Sequence, residues 1–265
     1  MELDLDDVAS LCRDLGQPHR ELVILGEGNV SVRSSARTLH IKASGRSMVT
    51  ASAQDFVEVE LEPLLGLLDD PSADDAMVAR VFAQWSAGPV VPSIETLLHV
   101  VSQTLGEAGV VAHTHPVSVN ALLCSDRAEA LVDGSIFPDQ VVVLGPHPLL
   151  VPYADPGLVL ARLVRTRLAE HVDRFGEPPK VVYLRNHGMV ALGQSLREAE
   201  NITAMAAKAA KVLLGALSAG SVVYLSAHEA QRLHSREDEV LRRGELVRGP
   251  ARRGSLDAAS ESGPR

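Results

Sequence analysis

The sequence predicts a domain of interleaved helices and strands, in the α/β or α+β class. Stretches with helical spacing of apolar residues alternate along the chain with short apolar or alternating stretches typical of strands. Two pairs of strand-like stretches are joined by short polar turns, SSAR and NHG, and such hairpins place antiparallel strands in a sheet. The chain has 265 residues, 46% of them hydrophobic and 22% charged, which suits one large or two small globular domains.

In the N-terminal half, the spacing of apolar residues predicts a helix over residues 3–16. Two alternating runs, ELVILGEGNVSVR and TLHIKASG, follow around the SSAR turn, and FVEVEL alternates as a third strand. The stretch 63–88 is less regular, and its second half has helical spacing. Pro92 and Ser93 then precede IETLLHVVSQTLGEAG, an amphipathic helix that we expect to stop at Gly109.

In the C-terminal half, VVAHTH predicts a short strand, VSVNALLC a helix and QVVVLG a buried strand. An Asp-Pro pair begins the helical stretch GLVLARLVRTRLAEHVDRFG, which Gly176 is expected to end. KVVYLR and MVAL are strand-like runs on either side of the NHG turn. Ser195 and Glu198 form a capping-box pair, which opens a long Ala-rich helix ending near Gly220.

The end of the sequence differs in composition from the rest. We predict one domain over residues 1–225 and a C-terminal extension over 226–265. From about residue 242 the extension is rich in Gly, Ser, Arg and Pro and has little apolar periodicity. Such a segment buries too little apolar surface to offset the entropy of ordering, so we expect disorder there.

Charge and composition exclude several classes of function. Asp and Glu number 34 against 25 Lys and Arg, giving a net charge of −9, which argues against nucleic acid or an anionic membrane as partner. Aromatic residues make up only 3%, so base stacking is not expected. Neither a basic leader followed by an apolar stretch nor a membrane-length apolar run occurs, so we expect a cytoplasmic protein. Two cysteines cannot form a disulfide framework or a four-thiolate zinc site.

Three of the ten histidines are candidate metal ligands. His113 and His115 are separated by one residue, and on a strand this spacing places both imidazoles on one face, as a chelating pair for zinc requires. The same spacing also occurs on solvent-facing strands that bind nothing. His187, in the NHG turn, would complete the three-histidine set of a catalytic zinc site with an open position for substrate.

A carboxylate and several small polar residues accompany these histidines. Glu95 lies near the start of a predicted helix, where the helix dipole favours negative charge. Near an open metal site it would instead transfer a proton to or from a substrate carbon. A candidate substrate or phosphate pocket, built from residues with free N–H groups or short polar side chains, comprises Gly28, Asn29, Ser44, Gly45 and Ser93. His99 shares the helix face of Glu95, and a core, site-contacting or solvent-facing position all remain open for it.

The order of five short motifs resembles that of the class II aldolase/adducin family, which includes fuculose-1-phosphate and rhamnulose-1-phosphate aldolases. The motifs are GNxSxR from Gly28, KASG from Lys42, PSIE from Pro92, HTHP from His113 and RNHG from Arg185. The resemblance covers about residues 3–220. Each motif alone is unspecific, but HTHP and NHG at this separation, with an upstream acidic residue on a helix, form a fairly specific signature.

The resemblance implies a three-layer α/β fold, with a central, mainly antiparallel sheet flanked by helices, usually assembled as a homotetramer with sites between subunits. It implies zinc, or another divalent metal, bound by His113, His115 and His187, with Glu95 as catalytic acid and base. The implied activity is that of an aldolase-type lyase. Such an enzyme cleaves a carbon–carbon bond of a sugar phosphate or related hydroxy-ketone through an enediolate.

Other activities are compatible with the same motifs. A decarboxylase of a 3-oxo sugar acid or its phosphate, or a 4-epimerase, would use nearly the same site, although the family's epimerases tend to carry Asp where Glu95 stands. A non-catalytic, adducin-like interaction domain is the alternative from another class. Ile94 replaces a serine of the phosphate aldolases, and the catalytic tyrosines of those enzymes match none of Tyr153, Tyr183 and Tyr224 by motif.

Overall fold

The computed structural model of the protein describes residues 4–86 and 90–239, together with 241 and 244. The strands are β1 (Asn29–Arg33), β2 (Thr38–Lys42), β3 (Phe56–Glu60), β4 (Val110–Thr114), β5 (Leu149–Val151), β6 (Val181–Leu184) and β7 (Gly188–Gly193). They form one sheet with the order β3-β2-β1-β4-β7-β6-β5. All neighbouring strands are antiparallel except β5 and β6, which are parallel.

Helices cover both faces of this sheet. They are α1 (Leu5–Leu15), α2 (Leu61–Asp69), α3 (Asp75–Phe82), α4 (Thr96–Thr104), α5 (Val117–Leu123), α6 (Pro138–Leu144), α7 (Leu158–Phe175), α8 (Leu196–Ala219) and α9 (Ala227–Ser235). Helices α1, α5 and α8 pack into the hydrophobic core on one face. Helices α2, α4 and α7 pack into the core on the other. The three-layer α/β fold with a mainly antiparallel sheet is therefore confirmed.

The two cores follow from the alternation of side chains along each strand. In β1, Val30 and Val32 belong to the core beneath α1 and α8, whereas Ser31 faces α4, where it contacts His99. In β4, Ala112 faces the α1 and α8 side and Val111 the α4 side. Because both faces are covered, every residue of β4 is buried. Polar side chains on the α4 side must therefore find partners inside the protein.

Most of the predicted elements are present. The opening helix, the third strand and the β6–β7 hairpin around NHG lie where the sequence indicates. The β1–β2 hairpin is present, but its first strand is shorter than the run ELVILGEGNVSVR, because β1 covers only Asn29–Arg33 and residues 21–28 form turns and loop before it. Gly176 ends α7 in a left-handed conformation with φ +78°. The Ser195 side chain accepts the N–H of Glu198 at the start of α8, which runs to Ala219. In the stretch 63–88, both halves are helical, as α2 and α3.

The prediction of a buried strand at QVVVLG was wrong, because these residues belong to α6. Four consecutive apolar residues fit a buried strand and a buried helix equally well. Here Pro138 occupies the first turn, where proline favours a helix, and Gly145 ends the helix with φ +72°. Buried Val141 then contacts Ala230 and Leu233 of α9. The short edge strand β5 was not predicted.

The helix predicted to stop at Gly109 ends earlier. Helix α4 ends at Thr104, and Glu107 adopts a left-handed conformation with φ +51°. A Cβ atom at Gly106 would lie 2.3 Å from the carbonyl oxygen of Ser102, so the chain turns out of the helix at this glycine. The loop then brings Gly109 to β1, where its carbonyl accepts the N–H of Arg33.

The division into a domain over 1–225 and an extension over 226–265 stays a prediction. The beginning of the extension is ordered, since α9 packs against α6. The disorder predicted from about residue 242 falls mainly on positions outside the described residues.

Among the described residues, one helix is long and apolar enough to cross a membrane by length and composition alone. This helix is α8, and 33% of its most apolar window is buried in the protein. Its inner face packs against the sheet through Ala199, Ile202 and Ala206. A single helix that meets this test is weak evidence for a membrane span.

Two glycines give opposite predictions for stability. Gly215 is exposed within α8, and apart from its chain neighbours and the nearby backbone of that helix, no heavy atom of the described residues lies within 4 Å of an added Cβ. Gly215→Ala should raise the free energy of unfolding by about 0.5–1 kcal/mol, because alanine favours a helix interior. Gly176→Ala should lower it, because alanine is strained at positive φ. Urea unfolding measures both changes, and equal shifts in one direction would contradict the conformational explanation.

Candidate active site

The candidate site lies where the end of β4 meets the turn between β6 and β7. His113 is fully buried on β4, opposite Val190 of β7 and Asn29 of β1. Its Nδ1 lies 2.9 Å from the carbonyl oxygen of Met189. A carbonyl only accepts, so Nδ1 carries the hydrogen and Nε2 presents its lone pair to the site in the neutral ring.

His115 lies one residue beyond the end of β4, and not within the strand as the sequence predicted. Its N–H donates to the carbonyl of Leu22 at 2.8 Å, which draws the chain away from the ladder. Even so, the Nε2 atoms of His113 and His115 are 3.0 Å apart. The expected convergence of the two imidazoles is present, although strand geometry alone does not produce it.

His187 approaches from the turn between β6 and β7. The preceding Asn186 has φ +54°, a left-handed conformation that asparagine tolerates. The His187 N–H donates to Leu184 O at 3.1 Å, and the Asn120 amide donates to His187 O at 3.0 Å. These contacts orient the ring toward the other two histidines.

Each of the three histidines offers a ring nitrogen to a common centre. These ligand atoms of His113, His115 and His187 all lie within 4.8 Å of one another. The ring centroids are 4.8–5.1 Å apart and the rings meet edge to face. Three converging nitrogens from two separate loops and a strand are an arrangement that a single divalent ion can bridge.

Glu95 directs its carboxylate at this centre. It precedes α4 at the N-cap position, yet its side chain makes no capping hydrogen bond with the described residues of the helix. Its Oε1 lies 3.0 Å from His187 Nε2 and 3.2 Å from His113 Nε2. The residue is only 8% exposed. The helix-capping role that the sequence left open for Glu95 is therefore not the one that its side chain adopts.

Two residues of the predicted substrate pocket form hydrogen bonds with Glu95. Asn29 binds the second carboxylate oxygen, Oε2, and Ser93 binds the backbone N–H of Glu95. The Asn29 side-chain amide donates to Glu95 Oε2 at 2.9 Å and to Ser93 Oγ at 3.3 Å. Ser93 Oγ also accepts the backbone N–H of Glu95 at 3.3 Å. Asn29 and Ser93 thus contact the candidate catalytic carboxylate directly.

The electrostatics of the cluster favour an ionised Glu95. Burial acts to raise the pKa of Glu95, but the charges of His113 and His187 outweigh it and lower that pKa below its ordinary value. Burial acts to lower the pKa of His113, yet the carboxylate of Glu95 raises it overall. Burial and the neighbouring His113 lower the pKa of His115 to about 3. The imidazoles therefore cannot all be protonated together.

The donor set fits a divalent metal ion. Three imidazole nitrogens and one carboxylate are ligands that zinc prefers. Glu95 Oε1 is buried and has no hydrogen bond of normal geometry to any residue that the structure describes, which is costly unless a cation or substrate group completes it. The bond between His113 Nδ1 and the backbone is the usual support for a metal-binding imidazole.

The other residues of the predicted pocket lie outside the strands, directly before β1 and after β2. Ser44 and Gly45 are exposed, and the Ser44 N–H donates to Val91 O at 2.9 Å. Gly45 has φ +70°, and its Cα lies 3.7 Å from the Cβ position of Gly26, so two loops meet here. Gly28 faces inward, because an added Cβ would contact Val23 and Met48. Gly28 is therefore a packing position beneath the site.

Sequence reasoning did not identify two further residues near the histidines. Glu27 Oε2 lies 3.6 Å from Nδ1 of His115, and Asn120 supports the His187 turn from α5. Glu27 lies directly before Gly28 and Asn29, two residues of the predicted pocket. This position in the sequence was the signal that could have identified it. No sequence pattern identifies Asn120, because its contact with His187 joins two segments that are far apart along the chain.

A comparison with protein families matches residues 6–214 to the class II aldolase and adducin N-terminal domain. The chain belongs to this family. The match covers most of the sequence, including every residue of the candidate site. The predicted resemblance is thereby confirmed.

Curated relatives of this class II aldolase family chain carry different activities. A methylthioribulose-1-phosphate dehydratase of Acidiphilium cryptum is 29% identical over 195 residues, covering 67% of this chain and 80% of the relative. A 3-oxo-tetronate 4-phosphate decarboxylase of Escherichia coli O6:H1 is 29% identical over 165 residues, covering 61% and 74%. The uncharacterized oxidoreductase YuxG of Bacillus subtilis is 24% identical over 180 residues, covering 64% of this chain and only 24% of that longer protein.

Solved structures of the same fold include an L-fuculose 1-phosphate aldolase, with a TM-score of 0.63 and 20% identity over 86% of this chain and 94% of that one. The N-terminal class II aldolase domain of a conserved Thermoplasma acidophilum protein has a TM-score of 0.62 and 23% identity, covering 81% and 95%. At these identities the similarity establishes the fold alone.

Gly188 gives a prediction specific to the histidine cluster. An added Cβ would lie 2.5 Å from Cδ2 of His115 and 2.6 Å from the carbonyl of Thr114. Gly188→Ala should therefore displace His115 and weaken divalent-metal affinity about 10- to 100-fold, the range seen when ligand support is disturbed. Titration with zinc measures this, with Gly66→Ala as the control, since its Cβ would meet no described atom within 4 Å apart from its chain neighbours and the nearby backbone of α2. Unchanged affinity in Gly188→Ala would exclude His115 as a ligand.

Proposed function

We propose that this chain is a metal-dependent, aldolase-type lyase that cleaves a carbon–carbon bond of a sugar phosphate or related hydroxy-ketone. The observation that carries the proposal is the buried carboxylate of Glu95, held within 3.0–3.2 Å of two imidazoles of a three-histidine cluster. A non-catalytic interaction domain would have no need to keep a costly buried charge beside three converging ring nitrogens.

In the proposed site, His113, His115 and His187 would hold the divalent metal, zinc being the best match to the donor set. When bound, such an ion supplies Lewis-acid polarisation of a carbonyl oxygen. A separate hydrogen bond holds each of these histidines in place. His113 binds the carbonyl of Met189 through its ring, His115 donates its backbone N–H to Leu22, and the carbonyl of His187 accepts from Asn120.

Glu95 would move the proton. Its low pKa keeps the carboxylate ionised, so Oε1 can take a proton from the carbon beside the carbonyl in the condensation direction. In the cleavage direction the substrate hydroxyl that becomes the aldehyde carbonyl would give its proton to Oε1 as the carbon–carbon bond breaks, and Oε1 would pass that proton to the carbon from which the aldehyde has left. Oε2 stays on the Asn29 amide, so proton transfer requires no rotation of the carboxylate.

The exposed Ser44–Gly45 loop would bind the far end of the substrate. Lys42 is only 1% exposed, and its Nζ donates to Ala43 O at 3.2 Å and to Arg46 O at 2.5 Å, which closes the loop over a buried positive charge. That charge favours an anionic group on the loop. Ile94, next to Glu95 in the sequence and 60% exposed, would supply an apolar surface where a serine hydroxyl would add a further donor.

A decarboxylase is the second candidate, since a 3-oxo-tetronate 4-phosphate decarboxylase is among the relatives at 29% identity. Loss of carbon dioxide from a 3-oxo acid leaves the same kind of carbanion as aldol cleavage. A proton taken up from water would reach that carbon through Glu95. The dehydratase among the relatives is named for methylthioribulose 1-phosphate, another sugar-derived phosphate.

We also propose a cytoplasmic homotetramer. Large apolar side chains near the site are exposed in the single chain, namely Ile24, Leu25, Ile94 and Val117. A neighbouring subunit placed over this mouth would bury them and shield the site from water. Light scattering would show four times the 28.2 kDa chain mass, whereas a monomer with full activity would contradict a site shared between subunits.

The division of roles between His113 and Glu95 is testable by metal content and rate together. His113→Ala should lose metal and activity, because one of three ligands is removed. Glu95→Gln should retain metal but lose about 10²–10⁴-fold in kcat, the usual contribution of a positioned acid/base. Metal analysis beside steady-state kinetics checks both, and full activity of chelator-treated, metal-free enzyme would overturn the metal-dependent function.

A substrate screen distinguishes the candidate reactions. The zinc-loaded protein is incubated with sugar phosphates and 3-oxo sugar acids, and released aldehyde, dihydroxyacetone phosphate and carbon dioxide are measured. We expect aldehyde release with a ketose phosphate. Carbon dioxide without aldehyde would establish the decarboxylase instead, and product formation by Glu95→Gln at the wild-type rate would exclude this site as its source.

A further inference from the structure

A continuous row of buried polar side chains connects α4 and β1 to Glu95. Gln103 Nε2 lies 2.8 Å from Ser31 Oγ, which lies 2.7 Å from His99 Nδ1. His99 Nε2 contacts Asn29 Oδ1, and Asn29 Nδ2 lies 2.9 Å from Glu95 Oε2. All these residues are buried, and His99 and Ser31 are fully so.

The direction of each hydrogen bond follows from the carboxylate end. An ionised carboxylate only accepts, so the Asn29 atom facing Glu95 must be its NH₂ group. The two hydrogens of that group go to Glu95 Oε2 and Ser93 Oγ. The carbonyl oxygen of Asn29 therefore faces His99, and because it too only accepts, Nε2 of His99 carries the hydrogen.

The remaining bonds follow from the neutral state of His99. Complete burial and the nearby His113 lower the pKa of His99 to about 3, so its ring bears one hydrogen near neutral pH. With that hydrogen on Nε2, Nδ1 is an acceptor and must receive the hydroxyl hydrogen of Ser31. Ser31 Oγ in turn accepts from the Gln103 amide. Four hydrogen bonds in series thus all point toward Glu95.

We propose that His99 is a positioning residue for Glu95, acting through the amide of Asn29. Bonds that point the same way polarise one another, so His99 strengthens the contact of Asn29 with Glu95 Oε2. Oε1, which makes no hydrogen bond of normal geometry with described residues, is thereby left facing the histidine cluster. The consequence for turnover rests on the proposed function, whereas the orientation of the carboxylate does not.

The proposal also assigns a role to Asn29 that differs from substrate binding. Both hydrogens and the carbonyl of its amide are already engaged by Glu95, Ser93 and His99. A substrate anion at Asn29 would have to displace one of these partners. Asn29 is therefore the link between the buried row and the carboxylate.

Two substitutions at His99 separate positioning from packing. His99→Leu fills a similar volume but breaks the row, whereas His99→Gln keeps an N–H donor toward Asn29 and an oxygen that accepts from Ser31. His171→Leu is the matched control, because His171 is a buried histidine on α7, outside the site. All variants are made in the full chain, and metal content is measured for each.

Two readouts do not depend on knowing the substrate. Nitrogen-15 NMR of the histidine rings, with His99 assigned by its loss in His99→Gln, should show the hydrogen on Nε2 and none on Nδ1 at pH 7. Difference infrared spectra against Glu95→Gln isolate the carboxylate band of Glu95. That band should shift in His99→Leu and stay near its wild-type position in His99→Gln and His171→Leu. A hydrogen on Nδ1, or an unmoved band in His99→Leu, would overturn the proposal.

The kinetic readout applies once the screen supplies a substrate. His99→Leu should lower kcat about 10- to 100-fold, as misplacement of a reacting group does, with KM and metal content unchanged. His99→Gln should recover most of the rate, and His171→Leu should keep it. Equal losses of kcat in His99→Gln and His99→Leu would show that His99 contributes only through packing, and would contradict the proposed positioning role. If wild type turns over no substrate, the proposed function fails while the NMR and infrared results still decide the orientation of Glu95.

Discussion

The energetic constraint at the centre of this protein is a carboxylate removed from water. An isolated buried charge costs several kcal/mol, and it is retained only where partners compensate it. For Glu95 these partners are the imidazoles of His113 and His187 on one oxygen and the Asn29 amide on the other. The shifted pKa values of the cluster, its fit to a divalent cation and its proposed chemistry all follow from this single charge.

The antiparallel sheet supplies the positions that these partners need. Strand β4 pairs with β1 on one side and β7 on the other, which aligns Asn29, His113 and Val190 across three neighbouring strands. Because side chains alternate, a shift of one residue in either pairing would turn His113 away from α4. The site thus depends on strand register.

Sequence patterns predicted the elements with strong local signals and missed those decided by their neighbours. Capping at Ser195 and the stop at Gly176 are local properties, and both are present. The VVVL run of α6 fits a strand or a helix, and Pro138 at the start together with packing against α8 and α9 favours the helix. Among the site residues, the histidines carried a recognisable spacing. The role of His99 could not be predicted, because it depends on Ser31 and Asn29, about seventy residues earlier.

The sequence by itself determined the family and the alternation of helices and strands, and it supplied the candidate residues for binding a metal and moving a proton. These predictions depend on residue types and on the spacing of residues that are close together in the sequence. The tertiary structure alone decided which oxygen of Glu95 is anchored, that Asn29 serves the carboxylate, and that His115 reaches its neighbour from outside the strand. Such outcomes depend on distances between segments remote along the chain, and burial decides their energy by removing water as the competing partner.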